Sequence, residues 1–89
     1  MLKPSYTTQF KRDYKLQLKR HKDLNLLDKT ITALVNEEAL PDHNRDHRLQ
    51  GEYSEYRECH IESDWLLIYK VEKDDIYFVR TGTHSDLFK

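Results

Sequence analysis

The spacing of apolar side chains changes once along this chain, near Pro41, and that change limits the fold more than any other feature. Ahead of it, apolar residues recur every three or four positions, the repeat of an amphipathic helix. Beyond it they come in short runs of Tyr, Ile, Val, Leu, Phe and Trp, the composition of strands. From Gln9 to about Arg20, Phe10, Tyr14 and Leu18 stand four apart as a core stripe. Lys11, Arg12, Lys15, Lys19 and Arg20 fill the other faces, and Thr7 or Thr8 can cap the start. Leu24, Leu27, Ile31, Leu34 and Val35 mark a second helix, with Asp23 as its cap and an end before Pro41. Two helices joined by so few residues pack antiparallel, and their joint apolar stripe needs a sheet to cover it.

The sheet is assembled from what remains. Residues 2–7 suit a short edge strand, where the donor that Pro4 lacks is not needed. Pro41–Gly51 has no apolar periodicity and reads as a long loop, and loops of about a dozen residues inside compact domains are usually functional or disordered. Strands are expected at Tyr53–Ile61, Trp65–Glu72 and Asp75–Thr81, separated by hairpin-sized gaps. The expected fold class is therefore α+β, a helical hairpin packed on a small antiparallel-dominated sheet, in a single domain spanning residues 1–89.

Turns at Lys73-Asp74 and Glu62-Ser63 would set the register: Leu67 opposite Arg80, Tyr69 opposite Phe78, Val71 opposite Ile76, and His60 opposite Trp65. One sheet face then carries His60, Trp65, Leu67, Tyr69, Phe78 and Arg80, and the other Cys59, Ile61, Leu66, Ile68 and Val79. The second set is the expected helix-covered face. The first is odd for a core, because it mixes a histidine and an arginine with aromatics. Neither turn has the Asn-Gly pair of a type I′ hairpin, so a one-residue slip would undo the pairing.

Composition narrows the function. With 15 Lys+Arg against 16 Asp+Glu the net charge is −1, which by itself argues against nucleic acid. The total hides a division: residues 1–30 hold 8 basic and 3 acidic residues, and residues 31–89 hold 7 and 13. Phosphate contacts depend on local cationic charge, so the basic helical end keeps an RNA partner in play. The longest apolar runs fall far short of the roughly 18 residues of a membrane span, and no basic-then-apolar leader opens the chain, so a cytoplasmic protein with no membrane partner is expected. Cys59 cannot form an internal disulfide and, inside a strand-like run, reads as a small buried packing residue.

Four of five histidines, His43, His47, His60 and His84, lie in the second half, in the long loop, at a strand end and after the last strand. His43 and His47 are four apart, but that spacing aligns metal ligands only on a helix, and no cysteine pair supports zinc, so no metal or cofactor is expected. The alternative is proton transfer on a phosphodiester. Cleaving RNA without a metal takes a base for the 2′-hydroxyl, an acid for the 5′ oxygen and a cation for the phosphorane. Histidine titrates near neutral pH, arginine offers two-pronged contact to phosphate, and an aromatic surface holds a base by stacking. His47, His60, Asp64, Trp65, Arg80 and His84 contain every type required.

Four segments carry a resemblance: Asp46-His47-Arg48-Leu49-Gln50-Gly51, Tyr56-Arg57-Glu58-Cys59-His60-Ile61, Asp64-Trp65-Leu66-Leu67-Ile68-Tyr69, and Arg80-Thr81-Gly82-Thr83-His84 with the following Leu87-Phe88. Together with the Lys19-Arg20-His21-Lys22-Asp23 hairpin, the chain resembles the YafQ branch of the RelE/ParE toxin superfamily over nearly its whole length. The resemblance implies a toxin of a bacterial type II toxin-antitoxin pair, a metal-independent endoribonuclease that cuts messenger RNA in the ribosomal A site. It implies His84 as general acid toward the leaving oxygen and Arg80 as phosphate clamp. His47, His60 and Asp64 share the base and orienting work, and Trp65, Phe88 and Arg48 position substrate. It also implies partners: the ribosome with its mRNA, a ribbon-helix-helix antitoxin, and operator DNA only through the antitoxin complex. Ser63 stands where relatives often carry proline. Two other classes remain open, a toxin-fold inhibitor of a protein such as gyrase and a non-catalytic, partner-dependent repressor; the full set His47, His60, Arg80 and His84 argues against the first.

Overall fold

In the computed structural model, which describes residues 1–88, the elements run β1 (Lys3–Tyr6), α1 (Thr8–Lys19), α2 (Leu24–Val35), β2 (His47–Arg48), β3 (Arg57–Glu62), β4 (Trp65–Glu72), β5 (Asp75–Gly82) and α3 (His84–Leu87). One five-stranded sheet has the order β1-β5-β4-β3-β2, antiparallel except that β1 runs parallel to β5. The α+β class and the edge placement of Pro4 are as expected.

Both helices start where a side chain can satisfy free backbone donors. Thr7, not Thr8, caps α1 and accepts from the Phe10 amide at 2.9 Å, and Asp23 caps α2, accepting from the Asn25 amide at 3.0 Å. Each ends on a left-handed residue, His21 (φ 61°) and Glu37 (φ 59°), over which Lys22 N–H reaches Gln17 O and Glu38 N–H reaches Ala33 O. On α1 the core stripe differs from the expected one. Phe10, Asp13 and Gln17 are buried whereas Leu18 is 58% exposed. Steps of four drift about 40° per repeat on a helix of 3.6 residues per turn, so Leu18 has rotated out of the line that Phe10 begins.

Leu27, Ile31 and Leu34 of α2 and Phe10 of α1 pack on Cys59, Ile61, Trp65, Leu67, Tyr69, Ile76 and Phe78. This corrects the expected division of the sheet. The last hairpin does turn at Lys73-Asp74, with Val71 opposite Ile76 and Tyr69 opposite Phe78, but the register then shifts so that Ile68 faces Arg80 and Leu67 faces Thr81. Val79 is the extra residue of a bulge. A second bulge sits at Ile61: His60 faces Leu66 and Glu62 faces Trp65, around a turn at Ser63-Asp64 instead of Glu62-Ser63. Each inserted residue inverts the alternation beyond it. The aromatics therefore go under the helices, and His60 and Arg80 join Leu66 and Ile68 on the opposite, open face.

Two further differences concern the loop. The strand expected from Tyr53 begins at Arg57, because Gly51–Tyr53 winds into a short 3₁₀ turn on Gly51 (φ 69°). Pro41–Gly51 is also partly ordered, by a 3₁₀ turn at Asp42–Asn44 and by β2. Buried Asn44 ties that turn to the sheet, donating from Nδ2 to the His60 carbonyl at 2.7 Å.

Candidate active site

Three histidines from separate parts of the chain meet on the open face. His60 is on β3, β2 pairs with β3 so that His47 lies opposite Glu58, and His84 opens α3 directly after β5. The ring centres of His47 and His60 are 6.4 Å apart, and those of His60 and His84 6.0 Å. A carboxylate serves each end of this row.

At one end Asp64 Oδ1 accepts from the His84 backbone N–H at 2.9 Å and lies 2.6 Å from its ring Nδ1. These bonds hold the Asp64 carboxyl below its ordinary pKa, the backbone bond contributing most. With Nδ1 donating to Asp64, the other ring nitrogen, Nε2, is the one left to exchange a proton. At the other end Glu58 Oε1 lies 3.5 Å from His60 Nε2 and 3.7 Å from His47 Nε2, while His47 Nδ1 donates to the Arg45 carbonyl at 2.6 Å. Glu58 is buried. Glu58 has no role in the site expected from the sequence. Its signal was available: an acid two residues before His60 on one strand shares that residue's face.

The strand stub that carries His47 is anchored from below. Asp46 accepts from the Tyr69 hydroxyl at 2.6 Å and from Arg57 Nε at 3.3 Å. Burial and the bond to Asp46 raise the Tyr69 phenol well above its usual pKa, so it stays a donor. Cys59 beneath is fully buried and its thiol is pushed up to about 12, mainly by desolvation, which makes it a packing group and no nucleophile.

Arg80 is held from α1. Its Nε and Nη2 donate to Asp13 at 2.8 and 3.2 Å, and Asp13 also accepts from the Thr81 amide and from Gln9 Nε2. Asp64 and Glu58 on the open face bond to histidines instead. The reason lies in the sheet edge: β1 covers β5 only as far as Phe78, and α1 satisfies the rest, with the Thr7 hydroxyl donating to Val79 O and Asp13 accepting from Thr81 N. Among the described residues Nη1 has no hydrogen-bond partner.

The remaining candidates separate. Trp65 lies in the core, fully buried, and donates its indole N–H to Thr81 Oγ1 at 3.0 Å, so it offers no face to a ligand. Phe88 is 44% exposed and lines a cleft of about 280 Å³ with Leu49, Tyr53, Tyr56, Ile68 and Arg80. Arg48, opposite Arg57, alternates away from His47 and is not part of the row. Ser63 begins the turn that presents Asp64.

A family model described as "Bacterial toxin of type II toxin-antitoxin system, YafQ" matches residues 2–89. The chain belongs to the YafQ toxin family. A YafQ relative from Escherichia coli K12, named mRNA interferase toxin YafQ, is 48% identical over 84 residues, which cover 93% of this chain and 91% of that protein. A putative toxin YafQ from Haemophilus influenzae is 42% identical over 91 residues, covering 94% and 89%. Among solved structures, the YafQ fold of the E. coli DinJ–YafQ complex superposes with a TM-score of 0.94 at 44% identity, over the whole of both chains.

In this YafQ-family chain a concavity of about 600 Å³ lies on the helix side between Tyr6, Phe10, Tyr14 and Ile31, away from the histidine row. Among the described residues no group of three or more His, Cys, Asp or Glu is arranged to hold a metal ion, and no helix is long and apolar enough to cross a membrane.

Proposed function

We propose that this protein is the toxin of a type II toxin-antitoxin pair and acts as a ribosome-dependent endoribonuclease on messenger RNA. One observation carries the reading: His84 is gripped by Asp64 through both its ring and its backbone, which leaves one ring nitrogen for proton transfer beside two further histidines. A solvated loop histidine has no need of such a grip.

In the proposed reaction the 2′ oxygen attacks the adjacent phosphorus as its proton passes to the His47–His60–Glu58 group. A bond forms from O2′ to phosphorus and the bond to O5′ breaks, giving a 2′,3′-cyclic phosphate and a free 5′-hydroxyl. His84 supplies the proton that the departing O5′ needs, and Asp64 stabilises the imidazolium beforehand and fixes the ring's tautomer. Nη1 of Arg80 takes charge building on the equatorial phosphate oxygens. Phe88, with Tyr53 and Tyr56 in the same cleft, stacks a base, worth about 1–3 kcal/mol per base. Trp65 supports β4 from the core side. No step requires a metal. A partner antitoxin is proposed from the complex in which the E. coli relative was solved; it would be of ribbon-helix-helix type and would bring the pair to operator DNA.

The acidic half that carries the row cannot draw in free RNA by charge, so the proposed affinity comes mainly from the ribosome and from the basic residues of α1. The test adds purified protein to a translating extract and, in parallel, to naked RNA. Cleavage mapped by primer extension should appear within coding frames in the extract and be weak on naked RNA. Unchanged profiles in the extract would overturn the ribonuclease reading.

A further inference from the structure

Asp13 and Gln17 on one side of α1 and Arg20, which caps its end, are spaced i, i+4 and i+7 and so aligned along the axis. Helix-to-strand seams ordinarily close by apolar packing, but this one is polar. Asp13 is satisfied by Arg80 and Thr81 at one end. At the other end Arg20 donates twice to Asp86, at 2.6 and 3.1 Å. Between them Gln17 buries both atoms of its amide with no hydrogen-bond partner among the described residues. An unpaired buried amide is destabilising, so the middle of the seam opposes closure and the two ion pairs hold its ends.

The Arg20 end bears on His84. α3 is four residues long, too short to persist by its own hydrogen bonds, and its shape rests on a capping box: Thr83 Oγ1 accepts from the Asp86 amide while Asp86 Oδ2 accepts from the Thr83 amide. That same Oδ2 takes the shorter Arg20 bond. The carboxylate lies against the chain at Gly82, where a Cβ would stand 2.8 Å from Oδ2, so a side chain there would push it aside. Asp64 alone cannot fix the His84 ring in space, because its own side chain is 62% exposed and sits in a turn.

We infer that Arg20 and Asp86 are positioning residues for His84: their ion pair ties α1 to the turn that presents the imidazole, setting it against Asp64 and at a fixed place relative to Arg80. One rigid helix thus holds the anion clamp through Asp13 and the proton donor through Arg20, about two turns apart. The activity part of this inference rests on the proposed ribonuclease reading; the structural part does not.

The test uses the full chain with Arg20→Gln and, separately, Asp86→Asn, which keeps an oxygen for the Thr83 amide but removes the charge. Histidine ring proton–carbon spectra should show the His84 signals moving toward those of a free, mobile histidine in both variants, with His47 and His60 unmoved. On programmed ribosomes single-turnover cleavage should fall about tenfold while the binding constant changes less than twofold, and Arg20→Lys should recover part of the rate. Both variants should melt within a few degrees of the parent, since a pair this exposed contributes little to global stability. Unchanged His84 signals in both variants would overturn the inference whatever the activity. So would a loss confined to ribosome binding, which would make Arg20 an RNA contact. Displaced His84 signals with unchanged cleavage would leave the tether standing and sink His84's role as the acid.

Discussion

The two faces of the sheet are made by the same three strands and obey opposite rules. Under the helices, Trp65, Leu67, Tyr69, Ile76 and Phe78 form a ring-rich core, with Tyr69 and Phe10 each about 6 Å from Phe78 between ring centres. On the open face Leu66 and Ile68 are just as buried, yet their neighbours are Glu58, His60 and Arg80, each tied to a charged or ring partner. One face holds the fold and the other carries the proposed chemistry. Substitutions on the two faces should therefore separate stability from activity.

The largest effect is expected on the covered face. Trp65→Ala removes a fully buried ring and its bond to Thr81, and should cost about 3–5 kcal/mol, enough to unfold much of a domain this small, read by denaturant melts. On the open face His84→Ala should lower cleavage in the extract about 10²- to 10⁴-fold with an unchanged melting midpoint. A His84→Ala protein as toxic as the parent would remove the acid from the proposed mechanism.

Arg80→Ala should break the rule in an informative way. Because Asp13 would be left buried without its cation, this open-face change should cost about 2 kcal/mol of stability as well as activity, and Asp13→Asn should reproduce part of both losses. If Arg80→Ala leaves the melt untouched, the Asp13 tether is not formed in solution.

Acid should test the Arg20–Asp86 pair. Arg20 and the Thr83 bonds hold the Asp86 carboxyl well below the usual carboxylate range. A depressed folded pKa contributes stability that is complete above the unfolded value of 3.8 and lost as pH falls toward the folded value. The difference in melting temperature between the parent and Asp86→Asn should thus be small but constant at neutral pH, and begin to shrink only as the pH drops below 3.8. The smallest effect is a gain: His21→Gly at the left-handed end of α1 should stabilise by about 1 kcal/mol, seen as a higher denaturant midpoint with no change in cleavage.

Much of this was readable from spacing. The helix pair, its caps, the strand β4 and the last turn follow from residue pattern, and so does the meeting of His47, His60 and His84 near one sheet end once the family segments are recognised. What failed were the faces. Ile61 and Val79 are ordinary strand residues, and nothing in either marks the bulge it makes; a strand with one extra residue looks the same in sequence as a regular one. The mixture of aromatics, histidine and arginine on one expected face was the visible symptom. Asp13 was hidden for another reason. Its partner lies 67 residues away, and a carboxylate within a run of helical lysines reads as solvated until the end of β1 exposes a strand edge beside it.

The parallel pairing of β1 with β5 also bears on how the molecule is made. β1 has no partner until residues 75–78 have been made, and Asp13 likewise waits for Arg80. No nascent intermediate short of the last strand can assemble the histidine row or its clamp. The proposed site is therefore absent from the nascent chain until the segment holding β5 and α3 has been translated.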